Sequence, residues 1–259
     1  MQSSVLIDKI EEVWIIRLNL PQSMNSLEKD LRDNLKSSLI EFSRNEGSRV
    51  AILTGSGRAF SAGGSLKELA EGMNAIQCSD CMKDVNELIL LITGIEKPII
   101  ACVNGAAVGA GFNIALACDM IIASTNAMFS QAFAKVGLVP DMGGLYFLPK
   151  VVGMHKAKEL IYTATMLNAE DAQKIGIVNK VIPHDKLESY TIEFAKDIAK
   201  GPAKAFGFAK MIMSRSWELS LSNVLQYEAF AQSVCMQSND HKEGVRAFYD
   251  KRKPVFQGK

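Results

Sequence analysis

Apolar side chains recur at every second position near the start of the chain. Val13, Ile15 and Arg17 alternate with Trp14, Ile16 and Leu18. A period of two marks a part-buried strand, so residues 4–7 and 12–19 are predicted to form a hairpin. Leu27, Leu31, Leu35 and Leu39 then fall four apart, the stripe of a helix with one buried face. Asn25, with Glu28 three residues later, is the candidate N-cap of that helix. A short apolar strand follows over 49–55. Further along, helices are predicted over 80–94, 109–117, 155–163 and 169–175, and strands over 98–103, 120–124 and 177–182. These strands read as continuous apolar runs, as in a sheet covered on both faces, so the fold class is α/β.

Beyond residue 187 the strand signals stop. Stretches 188–200, 203–215, 218–237 and 239–250 all read as helices. The chain thus divides into a core over 1–187 and a helical region over 188–259. That region carries Phe206, Met211, Met213, Trp217, Leu219, Leu221, Leu225 and Phe230. Such groups either pack on the core or form a subunit interface. Residues 98–118 carry no charge over a length that would span a bilayer. Asn104, Asn113, Pro98 and three glycines inside it favour a buried strand, a glycine turn and a buried helix.

Composition narrows the chemistry. With 48% apolar and 22% charged residues among 259, the chain is neither disordered nor a charged tail protein. Lys and Arg total 29 against 28 Asp and Glu, which argues against holding a nucleic acid by phosphate neutralisation. Five cysteines, an odd number, fit reduced thiols in a cytoplasm better than a disulfide framework. No basic stretch precedes an apolar one at the N-terminus, so no signal or transit peptide is expected. His155, His184 and His241 are scattered, and Cys78-x-x-Cys81 lacks a second pair, so no metal site is expected. A GxSxG elbow and a GxxxxGK[ST] loop are both missing, and Phe60 stands where the fingerprint begun by Gly55 and Gly57 would need its third glycine.

Two glycine clusters are more informative. GRAFSAGGSLKEL (57–69) and NGAAVGAGFNIALACD (104–119) each follow an apolar strand and open a helix. Glycine lets a backbone amide face outward unobstructed, and a helix start carries unpaired N–H groups. Two such amides converging on one point make an oxyanion hole. Tight turns using glycine for geometry alone would look the same. The third feature is VGLVPDMGGLYFLP (136–149), in which Asp141 sits among Val139, Met142, Leu145, Tyr146 and Phe147. Pro-Asp-x-Gly is also an ordinary turn. A carboxylate in an apolar pocket has a raised pKa and exchanges protons near neutrality.

In this order and spacing, these segments resemble the crotonase superfamily, the enoyl-CoA hydratase/isomerase group. The likeness also takes in PQSMNSL (21–27), LNAEDAQKIGIVNKVIP (167–183) and EGVRAFYDKRKPVF (243–256). The resemblance implies a spiral of ββα turns with a C-terminal α-helical trimerisation region, assembled as a homotrimer or a dimer of trimers. It implies an acyl-CoA thioester as substrate, with no separate cofactor. The thioester oxygen would be held by the amides of Gly64 and Ala110, where alanine replaces the usual glycine. Ala62 to Leu66, including Ser65, would hold the adenine end of CoA, flanked by Met24. Phe248 and Lys251 match positions that close the CoA site from a neighbouring subunit.

The departures from the family pattern matter most. The two hydratase glutamates fall on Asn113 and Phe133, and neither replacement can accept a proton. Within the superfamily, FSQAFAKVGLVPDMGGLYFLPKVVG is closest to the ring-epoxide isomerases of phenylacetate breakdown, in which an aspartate after Val-Pro is the acid/base group. The leading expectation is therefore an acyl-CoA isomerase with Asp141 as proton shuttle. Hydration with water oriented by Asp141 and Asn113 is an alternative. So are an aspartate-nucleophile hydrolase or dehalogenase, and a CoA-binding protein without activity. Met73, Ile76, Met82 and Leu88 are candidates for an acyl tunnel or for plain helix packing.

Overall fold

The computed structural model describes residues 3–65, 72 and 74–258. The hairpin forms as expected. Strand β1 (Val5–Ile10) pairs antiparallel with β2 (Val13–Leu18), Val5 opposite Leu18. From β2 outward all pairing in this sheet is parallel: β3 (Val50–Gly55), β5 (Ile99–Val103), β7 (Met120–Ser124) and β10 (Lys180–Ile182) follow in that order. Both faces are covered. Trp14, Ile16 and Leu18 belong to the main core, while Val13 and Ile15 point into a second one with Val50, Ile52, Ile100, Cys102 and Ile122. The alternation in β2 therefore separates two buried faces rather than a wet face from a dry one.

A second sheet was not visible in the sequence. It consists of β4 (Ala59–Ser61), β6 (Ala106–Val108), β8 (Met128–Ser130) and β9 (Leu167–Asn168), in that order. Strands of two or three residues are too short to display a period. Successive segments place one strand in each sheet, β3 then β4, β5 then β6, β7 then β8, which is the ββα spiral implied by the resemblance.

The leucine stripe lies on α1 (Lys29–Arg44), where Leu31, Leu35 and Leu39 are fully buried. Its N-cap is Glu28, not Asn25. Asn25 is itself fully buried with φ +54°. Its side chain accepts from Leu20 N and donates to the carbonyls of Ser56, Ala59 and Phe60, tying the turn before α1 to β4. Helix α2 (Ala75–Gly94) starts five residues earlier than predicted. Its first turn is exposed and so lacks an apolar pattern, but Asn74 and Gln77 form a capping box. Helix α3 (Ala110–Ala117) is buried throughout. The uncharged segment 98–118 thus becomes a strand, a short strand and a buried helix. Among the described residues no helix is long and apolar enough to cross a membrane.

Helix α4 (Gly144–Val152) occupies a stretch read only as a turn, since Gly143, Gly144 and Pro149 mask its helical signal. Helices α5 (Met154–Thr163) and α6 (Ala169–Lys174) match expectation. Helix α7 (Leu187–Ala199) covers the outer face of the large sheet through Leu187, Ala195 and Ala199. The core therefore runs to about residue 199, and the division at 187/188 is corrected accordingly. Helices α8 (Ala203–Arg215), α9 (Leu221–Gln237) and α10 (Asn239–Tyr249) complete the chain. Several large apolar groups of this region are left uncovered: Trp217, between α8 and α9, and Leu221 are 72% and 73% exposed.

Candidate active site

Strands β4 and β6 lie side by side and parallel, so the loops leaving their C-terminal ends open at the same edge. The loops interlock through two glycines. A Cβ on Gly63 would stand 2.6 Å from Val108 O and 3.1 Å from Ala110 N, and one on Gly111 would stand 2.4 Å from Ser61 O. Gly63 also has φ +86°, a region costly for any side chain.

Hydrogen-bond accounting shows which backbone groups remain. Ala62 N donates to Met24 O, Gly63 N to Ser61 Oγ, and Leu27 N to Gly63 O. On the other loop Gly109 N donates to Ser130 O, and Asn113 N to Gly109 O. Among the described residues the amides of Gly64 and Ala110 have no partner. Ala110 is the first residue of α3, where an N–H has none within the helix. Gly64 and Ala110 both line one cavity of about 580 Å³.

Asp141 lines the same cavity, in the turn between a 3-10 segment (Ala132–Val136) and α4. Its carboxylate Oδ1 is buried without a hydrogen-bond partner. Burial pushes its pKa up to about 6, against a small opposing effect from its own backbone amide. The apolar surroundings differ from those read in the sequence. Val139 and Leu145 are largely exposed; Met142 does line the cavity, and Phe133, Leu27, Met82, Val85 and Val108 make its wall with it. Of the tunnel candidates only Met82 lines it. Leu88 is in the core, Ile76 is exposed, and Met73 lies outside the described residues.

Met24, Ala62 and Ser65 line the cavity. Leu66 lies outside the described residues. Asn113 does not face the cavity. It is fully buried, with its Nδ2 donating to Asp141 O (2.8 Å) and its Oδ1 accepting from Gln131 Nε2 (2.7 Å). This corrects its placement among the groups that meet the substrate. Phe248 and Lys251 are exposed and do not line the cavity of their own chain; Phe248 borders a separate groove with Tyr249 and Phe256.

Residues not singled out from the sequence also appear. Gln131 is one; its partner, at position 113, lies 18 residues away, and no local pattern marks it. Cys78 and Cys81, considered in the sequence only as an incomplete metal-ligand pair, both line the cavity, where Arg32 Nη2 lies 3.9 Å from Cys81 Sγ. No group of three or more potential metal ligands occurs among the described residues.

Comparison with known proteins agrees with this geometry. The sequence model described as enoyl-CoA hydratase/isomerase matches residues 8–259. A probable enoyl-CoA hydratase of Rhodobacter capsulatus is 38% identical over 250 residues, covering 96% of each chain. A 1,2-epoxyphenylacetyl-CoA isomerase of Escherichia coli is 33% identical, covering 95% of each chain. A crystal structure of an enoyl-CoA hydratase subunit from Geobacillus kaustophilus superposes with a TM-score of 0.94 at 34% identity, covering 99% of this chain and 98% of that one. Two amides without a partner among the described residues and a half-buried carboxylate with one enclosed oxygen, on one cavity, in a chain matched nearly end to end, lead to one assignment: the protein is an enzyme of the enoyl-CoA hydratase/isomerase family.

Proposed function

We propose that the enzyme shifts a proton within an unsaturated or ring-epoxide acyl-CoA, with Asp141 as the single acid/base group. The thioester oxygen accepts hydrogen bonds from Gly64 N and Ala110 N. Those donors favour the enolate over the ground-state carbonyl, and each contributes roughly 2.7–4 kcal/mol in comparable sites. The Asp141 carboxylate takes a proton from one carbon of the acyl chain and returns it at another. The electrons stay within the substrate, so no cofactor takes part. One carboxylate suffices because no water is added.

The observation that carries this reading is Asp141 Oδ1, buried without a partner among the described residues, on the cavity that Gly64 and Ala110 line. The positions matching the hydratase glutamates support it, since Asn113 points away and Phe133 is a hydrocarbon wall. The Ala62–Leu66 stretch and Met24 are proposed to hold CoA. Phe248 and Lys251 are proposed to reach the site of an adjacent subunit in a homotrimer. Turnover of a 3-enoyl-CoA, read as a rise in conjugated-thioester absorbance, tests the reaction. Asp141→Asn is expected to slow it about 10²–10⁴-fold while acyl-CoA binding stays within a few-fold. Undiminished turnover by that variant rejects the assignment.

Hydration is the second reading, favoured by the several relatives named hydratases. Rapid loss of the conjugated absorbance of crotonyl-CoA, with formation of the 3-hydroxy thioester, selects it over isomerisation.

A further inference from the structure

We infer that Gln131 is a positioning residue, which acts through Asn113 to hold the Asp141 turn in register with the Ala110 amide. The inference rests on Asp141 being the acid/base group.

Asp141 occupies an uncommon turn. The next two residues, Met142 and Gly143, both have positive φ, +45° and +78°. For methionine that conformation is unfavourable by roughly 1–2 kcal/mol, so the turn needs outside support. Within the turn Gly144 N donates to Asp141 O (2.9 Å). The outside support is Asn113 Nδ2, which donates to the same carbonyl (2.8 Å). Contact is close enough that a Cβ on Gly144 would stand 2.5 Å from Asn113 Nδ2.

Asn113 can support the turn in only one orientation. Its NH₂ must face the Asp141 carbonyl, because two oxygens there would repel. Gln131 fixes that choice by donating from Nε2 to Asn113 Oδ1 (2.7 Å). Both side chains are buried, Asn113 at 0% and Gln131 at 1% exposure. Meanwhile Gln131 Oε1 is buried with no partner. An unsatisfied buried acceptor costs about 1–3 kcal/mol, so keeping Gln131 brings no net gain in stability. An apolar side chain there would remove that orphan but leave the buried Asn113 Oδ1 unpaired instead, so stability is roughly indifferent and the useful part of Gln131 is its donor.

Helix α3 explains what the relay accomplishes. Ala110 is its first residue and Asn113 its fourth, one turn apart. The donor to the thioester oxygen and the support of the carboxylate are thus built on the same rigid turn. Their separation fixes where Asp141 meets the acyl chain relative to the enolate oxygen. A displacement of about 1 Å in such a constellation costs on the order of 10²-fold in rate.

The test is Gln131→Met, which keeps length and bulk but removes the donor, with Gln131→Glu as a second variant that removes the donor and keeps an acceptor. Both are expected to lower kcat about 10- to 100-fold and leave KM within twofold. Gln131→Met should keep a melting temperature near that of the parent, since it exchanges one unpaired acceptor for another. In an Asp141→Asn background neither variant should slow the residual turnover further. Wild-type kcat in both variants overturns the relay, as does an undiminished loss in the Asp141→Asn background. A fully active Asp141→Asn protein would instead reject the acid/base reading beneath it. An inactive Asp141→Asn with unaffected Gln131 variants rejects the relay alone.

Discussion

Asp141 sets a conflict between stability and reactivity that can be measured. Its pKa is raised from 3.8 to about 6 because burial disfavours the charged form. The folded protein therefore holds the proton to higher pH than the unfolded chain does. Stability falls as pH rises from about 4 to about 6, and the full cost, on the order of 1–3 kcal/mol, is present above that window. Replacing Asp141 by Asn removes the charge. The variant should melt higher than the parent at pH 7, and the difference should vanish by about pH 4. Thermal melts across that range check the sign; a variant less stable at pH 7 than at pH 4, relative to the parent, would contradict it. If the carboxylate must accept a proton first, kcat/KM should rise with pH through a midpoint near 6, and the Asn variant should lose that limb.

The same scale shows what a sequence can and cannot reveal. Asp141 was legible because its turn motif and apolar neighbours suggested a perturbed carboxylate, although of those neighbours Met142 lines the cavity while Val139 and Leu145 face outward. Asn25 looked like a helix cap, because Asn followed by Glu three residues on is a capping pattern. In the structure its side chain meets four backbone groups of other segments. Asn25→Ala leaves those buried groups unpaired at a position of positive φ, and a destabilisation of roughly 3 kcal/mol is expected by chemical denaturation. A surface cap would lose only about 1 kcal/mol. Gln131 and its tie to Asn113 were not legible, since the link joins distant segments by a hydrogen bond that no period encodes.

At the scale of elements, the long strands and helices were readable because burial of one or two faces imposes a period. The short sheet of β4, β6, β8 and β9 was not, yet it positions the chemistry. Strands β4 and β6 bring the Gly63 loop against the start of α3 at Gly111, and that contact places Gly64 and Ala110 on one cavity. Gly63→Ala should wedge the loops apart, because its Cβ would meet Val108 O at 2.6 Å and the backbone cannot retreat far. Loss of one oxyanion donor corresponds to about 10²–10³ in kcat. Turnover should fall by that order with a smaller change in acyl-CoA affinity. Among the described residues nothing lies within 4 Å of a Cβ on Gly64, and its φ is not positive, so Gly64→Ala should be much milder. The contrast between the two substitutions separates loop geometry from a general intolerance of side chains there.

At the scale of the whole molecule, the C-terminal helices present Trp217, Leu221, Leu225, Phe230 and Phe248 to solvent in a single chain, Phe248 at 81% exposure. Large apolar side chains left in solvent by a single chain are candidates for an interface. The proposed trimer would cover them and deliver Phe248 and Lys251 to a neighbour's CoA. Sedimentation should give about three times the 28.3 kDa chain mass, or six times for a dimer of trimers. Delivery across subunits has a sharper consequence. Phe248→Ala should raise KM for the acyl-CoA with little change in kcat, whereas Asp141→Asn should lose kcat. In mixed assemblies co-expressed from both variants, some sites combine Asp141 of one subunit with Phe248 of the next. Those sites are intact, so turnover at low substrate concentration should recover well above that of either variant alone. If Phe248 served its own chain, or no chain at all, every site in the mixture would carry a defect or none would depend on it, and no recovery would occur.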